Sequence, residues 1–355
     1  TVDNSNLLAA VTTGKLTATI DTSEAVDELA TLSADGGTND LTIVIRGADA
    51  TASTAAQLNT INDATALAVD LSNVTALAGS SLADLGTLAT AITNNQFSND
   101  TGITTIAVSD TTIDATTLAA RIDSYDTING GSTTGMTLAS GETINVDADE
   151  ITHMLADETA NRLTISDQLI TVTNAITVDT ANLLAATTSG KVTATIDTSE
   201  TVAELATLSA DGGTNDLTIV IRAADATAAT ATQLNTINAA TAVAVDASNV
   251  TGLASDSISN ISTLLTAGND TNQFTANSFS SLATVVVNDT TLTGGDLAGA
   301  IDQANAATGN TSTVFTITAA DTITGTEANF TALITDEGNN QISITDQALT
   351  VNSGG

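Results

Sequence analysis

The segment ELATLSADGGTNDLTIVIR runs from Glu28 to Arg46 and stands again, letter for letter, from Glu204 to Arg222. Its first part sets Leu29 and Leu32 three apart, a helical interval, and its last part alternates Leu41, Ile43 and Ile45 with Thr42 and Val44, the period of a strand. Between them SADGGTND has the acids, amides and glycines of a corner. The segment therefore reads as one helix, one turn and one strand, and the chain uses it twice.

Working outward, TVDNSNLLAAVTTGKLTATIDTSE at Thr1 is matched by TVDTANLLAATTSGKVTATIDTSE at Thr177. The phrase NQF at Asn95 returns at Asn272, and TISDQLITV around Asp167 returns as SITDQALTV around Asp346. Two large repeat units follow, 1–176 and 177–355. Within each, strand-like LTATI, LTIVI and ALAVD end at Ile20, Ile45 and Asp70, a step of roughly 25 residues. Apolar residues three or four apart fill the spaces between: Ala55, Leu58 and Ile61; Leu82, Leu85, Leu88 and Ile92; Leu118 and Ile122; Ile151 and Leu155.

Strands alternating with short helices require parallel pairing and right-handed crossovers. The expected fold is an α/β repeat solenoid, with parallel strands stacked in coils of roughly 25 residues and short helices between them. An all-β parallel β-helix is the alternative. The absence of proline fits strands that use their ladder donors on both sides.

Forty-one acids against six bases leave a net charge of -35. Such a surface repels nucleic acid, whose binding needs clustered Lys and Arg, and attracts cations. Part of the acidity has a local reason. Asp21 and Asp197 are each followed three residues later by a Glu, as is Asp147, and Asp114 and Asp179 also stand at strand-to-helix junctions, all positions that suit helix caps. Only 2 % of residues are aromatic, so the core must be aliphatic; there is no cysteine, and no apolar run long enough to insert in a membrane. The chain starts at a repeat boundary rather than at Met, as expected of a segment of a longer exported chain.

No catalytic constellation is legible. The one histidine, His153, corresponds to Ala332 in the second unit, and no nucleophile-elbow motif occurs. The chain reads as a non-enzyme. The one ligand candidate is the corner itself: Asp35, Asn39 and Asp40, with Asp211, Asn215 and Asp216 as their twins, offer the carboxylate and amide oxygens that calcium takes on a glycine turn. The other reading of the same residues is a helix stop and turn, with Gly36 or Gly37 in the left-handed position. Both readings stand. N-x-S/T triplets, among them those at Asn73 and Asn249, fit glycosylation of an exported chain.

The phrases TATQLNTINAATAVAVDASNVTGL (Thr230 to Leu253) and TVDTANLLAATTSGKVTATIDTSE (Thr177 to Glu200) resemble the Thr/Ala/Asp-rich repeat regions of very large exported surface proteins of cyanobacteria and other aquatic bacteria. That resemblance implies a calcium-associated surface-layer, filament or adhesin component. The expectation is a structural component of an extracellular filament, sheath or cell-surface layer, secreted or held at the cell surface, whose partners are further copies of itself and cell-surface glycans. The alternative is the stalk or spacer of a large bacterial adhesin.

Overall fold

The computed structural model describes residues 1–33, 38–131, 134–209, 214–309, 312–317 and 321–352. Contacts divide the chain into two compact units, one of Thr1–Thr173 with Thr187–Gly190, the other of Asn174–Ala186 with Lys191–Gly355.

The first unit opens with α1 (Val2–Val11), β1 (Thr17–Thr19), α2 (Val26–Leu29), β2 (Asp40–Thr42), α3 (Ala55–Asp63) and β3 (Val69–Asp70). It continues through β4 (Ala76–Ser80), α4 (Leu82–Thr93), β5 (Phe97–Ser98), β6 (Thr105–Val108), β7 (Thr112–Asp114) and α5 (Ala115–Ile128). Next come β8 (Gly135–Thr137), β9 (Thr143–Val146), α6 (Ile151–Thr159), β10 (Leu163–Thr164) and β11 (Leu169–Ile176). Among the described residues its strands pair in parallel: β1 with β2, β3 with β5, β4 with β6 with β8 with β10, and β7 with β9 with β11.

The second unit holds α7 (Val178–Thr187), β12 (Val192–Ile196), α8 (Val202–Leu205), β13 (Asp216–Thr218), α9 (Ala231–Ala239), β14 (Gly252–Asp256) and α10 (Ile258–Gly268). It ends with β15 (Thr284–Val287), β16 (Thr291–Thr293), α11 (Gly294–Thr308), β17 (Val314–Ile317), β18 (Thr322–Gly325), α12 (Glu327–Gly338) and β19 (Ala348–Val351). Its parallel sets are β12 with β13, β14 with β15 with β17, and β16 with β18 with β19.

The solenoid expectation is corrected by this arrangement, and so is the all-β alternative. The described residues form an α/β fold of twelve helices with several small parallel sheets, none of them closed. The physical reason is the uneven length of the connections. Thr17 stands opposite Asp40 across a short segment containing the four-residue α2, whereas Gly252 stands opposite Thr284 across a segment containing the 11-residue α10. Unequal connections do not keep one strand register, and the pairing breaks into separate sets of short strands.

The helical intervals in the sequence do mark buried faces. Leu58, Ile61, Leu85, Leu88 and Ile122 are fully buried, and in α6 the second inward residue is Met154 rather than Leu155. Threonine is a poor helix former, but here its hydroxyl finds a partner one turn back: Thr90 Oγ1 donates to the Gly86 carbonyl at 2.9 Å and Thr93 Oγ1 to that of Ala89 at 2.8 Å. Three helices stop on an asparagine in the left-handed region, Asn95, Asn161 and Asn340, with φ of 58, 58 and 59°. The next N–H then reaches back to satisfy an open carbonyl, as Gln96 does to Ala91 at 3.0 Å.

Candidate functional site

Asp35 and Asp211, the first residues of the two proposed calcium sites, lie outside the described residues, as do Gly36 and Gly37. Their neighbours are placed, and each is already engaged. Asn39 is 2 % exposed, and its Oδ1 accepts the Leu16 N–H at 2.9 Å while its carbonyl accepts from Ala66 N–H. Asn215 repeats the arrangement with Val192, also at 2.9 Å. The carboxylates of Asp40 and Asp216 pair with Lys15 and Lys191. These four residues thus fasten the corner to the segment before it. Among the described residues no group of three or more His, Asp or Glu side chains is placed to hold a metal ion.

The acids act at helix N-termini, but mostly across the chain rather than within one junction. The first amide of α2, Val26 N–H, donates to Asp49 Oδ2 at 2.9 Å, and that of α8, Val202 N–H, to Asp225 Oδ2 at 2.8 Å. Leu82 at the start of α4 donates to Asp110 at 2.7 Å, and Ile258 at the start of α10 to Asp289 at 2.6 Å. Glu24 and Glu200 do the same for Val2 and Val178, at 3.3 and 3.2 Å. In each case a carboxylate from the following segment covers the positive end of the preceding helix, a contact worth about 1 kcal/mol.

Of the capping acids expected from sequence, Asp114 is the N-cap of α5, accepting from Thr117 N–H at 2.8 Å. Asp21 instead turns onto Ser23, at 2.9 Å, and Asp179 lies inside α7. Burial would push the Asp225 carboxyl up, but the Arg222 guanidinium and the Val202 N–H outweigh it and hold its pKa below the usual carboxylate value.

Asparagines make the parallel contact to backbone carbonyls. Asn73 Nδ2 donates to Ile45 O and Asn249 Nδ2 to Ile221 O, both at 2.8 Å, so the nitrogen that a glycan would need is occupied at both triplets.

One ion cluster differs between the copies. In the first unit Arg162 bonds Asp126 at 2.9 Å and pairs with the buried Asp157. Burial raises the Asp157 pKa, with Arg162 opposing it. In the second unit Gln341 stands where Arg162 does and exchanges amide bonds with Asn305, while Asp336 takes the place of Asp157. Burial raises the Asp336 pKa, and the nearby Asp302 adds to it. His153 is exposed on α6.

A groove of about 470 Å³ on α3 and α4 is bounded by Asn59, Asn62, Asp63, Asn94, Gln96 and Arg121. Nothing in the sequence patterning marks it, because its residues come from α3, α4, the turn after α4 and α5, and each segment alone reads as a solvated face. No described helix is long and apolar enough to cross a membrane. Searched against protein-family models, the chain matches none, and no curated protein is similar enough to count as a relative.

Proposed function

We propose that the chain is a non-enzymatic structural component that associates with further copies of itself in an extracellular filament, sheath or cell-surface layer. One observation carries this reading: matched residues of the two copies differ in exposure. Leu8 on α1 is 51 % exposed, whereas Leu184, its counterpart on α7, is fully buried. Leu349 and Val351 on β19 are 48 % and 63 % exposed, whereas their counterparts on β11, Ile170 and Val172, are 0 % and 7 % exposed.

These side chains stand on the first helix and the last strand described, where a further repeat, in the same chain or on a second copy, would cover them. If one meets the other on a second copy, the contact is heterologous, and heterologous contacts that do not close produce open fibres. The acidic surface keeps such material from unspecific association, and the exposed His153, the sole histidine, is consistent with a non-catalytic role.

Sedimentation velocity over a hundredfold concentration range tests the reading. Species should grow with concentration in the unaltered chain, and Leu8→Asp or Val351→Asp should each suppress that growth. A chain that stays monomeric throughout would refute it.

A further inference from the structure

In a chain with so many acids, a basic side chain readily finds a carboxylate. Lys15, Arg46, Arg162, Lys191 and Arg222 all do. Arg121 is the remaining base, and among the described residues it makes no ion pair; its Nε donates to the Leu82 carbonyl at 3.0 Å. The side chain crosses α4 at Gly86, where an added Cβ would lie 2.5 Å from the guanidinium carbon. There it forms part of the wall of the 470 Å³ groove.

The rest of that wall is rich in amides. Asn59 donates through Nδ2 to the Asp84 carbonyl at 3.0 Å, but its Oδ1 is buried with no hydrogen-bond partner. Asn62 Nδ2 bonds Gln96 Oε1 at 3.3 Å, and Asn94 is exposed at the rim. The second copy supplies an internal comparison. It keeps the amides, as Asn235, Asn238 and Gln273, but has Ala300, Ser262 and Ala239 where the first has Arg121, Gly86 and Asp63. The guanidinium and the glycine that makes room for it therefore occur together or not at all.

We infer that this groove binds an acidic sugar, with a uronic acid carboxylate on Arg121 and ring hydroxyls on Asn59, Asn62, Asp63, Asn94 and Gln96. A guanidinium matches a carboxylate with two parallel hydrogen bonds. A sugar hydroxyl both donates and accepts, and amides offer both functions, whereas a carboxylate such as Asp63 takes the donated proton. Nucleic acid and polyphosphate need several cations, and the groove holds one beside Asp63. Charges beyond a Debye length of about 8 Å are screened at physiological salt, so one carboxylate in contact with Arg121 is attracted despite the net charge. A glycan with a uronate among neutral sugars fits better than a polyuronate, whose every unit would add repulsion.

The test is calorimetric titration of the intact chain with a glucuronate-containing disaccharide, its neutral glucose counterpart and inorganic phosphate. The acidic disaccharide should bind at least about tenfold more tightly than the neutral one and weaken with added salt. Binding should fall about tenfold in the double variant Gly86→Ser, Arg121→Ala, which installs the second copy's residues, and should also weaken in Asn94→Ala, a change at an exposed position. No binding, equal binding of the neutral sugar, equal binding of phosphate, or binding unchanged in the variants would each overturn the assignment. The substitutions leave α1 and β19 untouched, so self-association serves as a separate readout.

Discussion

Asp225 Oδ2 accepts the Val202 amide proton at 2.8 Å, joining the start of α8 to a carboxylate that follows the next strand. The same carboxylate is held by Arg222 at 2.8 Å; the aspartate is nearly buried and the arginine part-exposed. Asp49, Val26 and Arg46 repeat the geometry in the first copy. Each such contact ties together two segments that are separate in sequence. Replacing Asp225 by Ala should destabilise the chain by about 2 kcal/mol, from the lost cap and the stranded guanidinium. Urea unfolding of the variant checks this, and a loss within about 0.5 kcal/mol would show that the cap contributes little.

The same aspartate sets an acid limit. Its folded pKa lies below its unfolded value, so its stabilisation is fully present above the ordinary carboxylate range and is lost as pH falls through the lowered folded pKa. Asp256 behaves likewise: burial raises its pKa, but hydrogen bonds from Asn260 and Thr232 outweigh that and leave it lowered. Melting temperature should fall steeply below about pH 4 and do so less in Asp225→Asn.

Asp336 has the opposite sign. Its pKa is raised by burial and by Asp302, so its unfolded form loses the proton first and stability declines as pH rises through the raised folded pKa. Asp336→Asn should therefore raise the melting temperature at pH 7 and leave it unchanged near pH 3. An equal effect at both pH values would show that packing, not charge, is responsible.

Gly86 and Arg121 should be energetically coupled. Gly86→Ala alone forces the guanidinium off α4, since the new Cβ would come within 2.5 Å of it. In an Arg121→Ala background the same change should be stabilising by about 0.5–1 kcal/mol, the helix preference of Ala over Gly. A double-mutant cycle read by thermal unfolding gives the coupling directly.

The corner residues allow a cation test. Asn39 Oδ1 and the Asp40 carboxylate are engaged by Leu16 N–H and Lys15, so calcium would have to displace existing partners. The expected result is that EDTA and millimolar calcium leave the melting temperature within about 1 °C of each other. In Lys15→Ala, with Asp40 released, any calcium dependence should increase.

Much of the local structure was legible in the sequence. The interval of Leu58 and Ile61, and that of Leu82, Leu85 and Leu88, put apolar atoms on one side of a helix whatever surrounds it, and those residues are the buried ones. The duplication of Glu28 to Arg46 as Glu204 to Arg222 gave corners with the same partners, down to the Asn39 and Asn215 hydrogen bonds. The groove was not legible, because Asn59 lies on α3, Asn94 just after α4 and Arg121 on α5, and each is an ordinary surface residue in its own segment. Nor were the cross-chain caps: local spacing placed Asp21 and Asp179 at helix starts, whereas the acids that cover α2 and α4 are Asp49 and Asp110.

By itself the sequence determined the alternation of strand and helix, the aliphatic core and the two copies, since these follow from periodicity and composition, which act over a few residues. Only the tertiary structure decided how the repeated segments pair. Connections of different length carry α2, α4 and α11 between strands, so pairing divides into small parallel sets instead of one continuous stack. It also decided which carboxylate meets which amide, because a helix end is neutralised by whatever side chain packing brings within about 3 Å, not by the residue nearest in sequence.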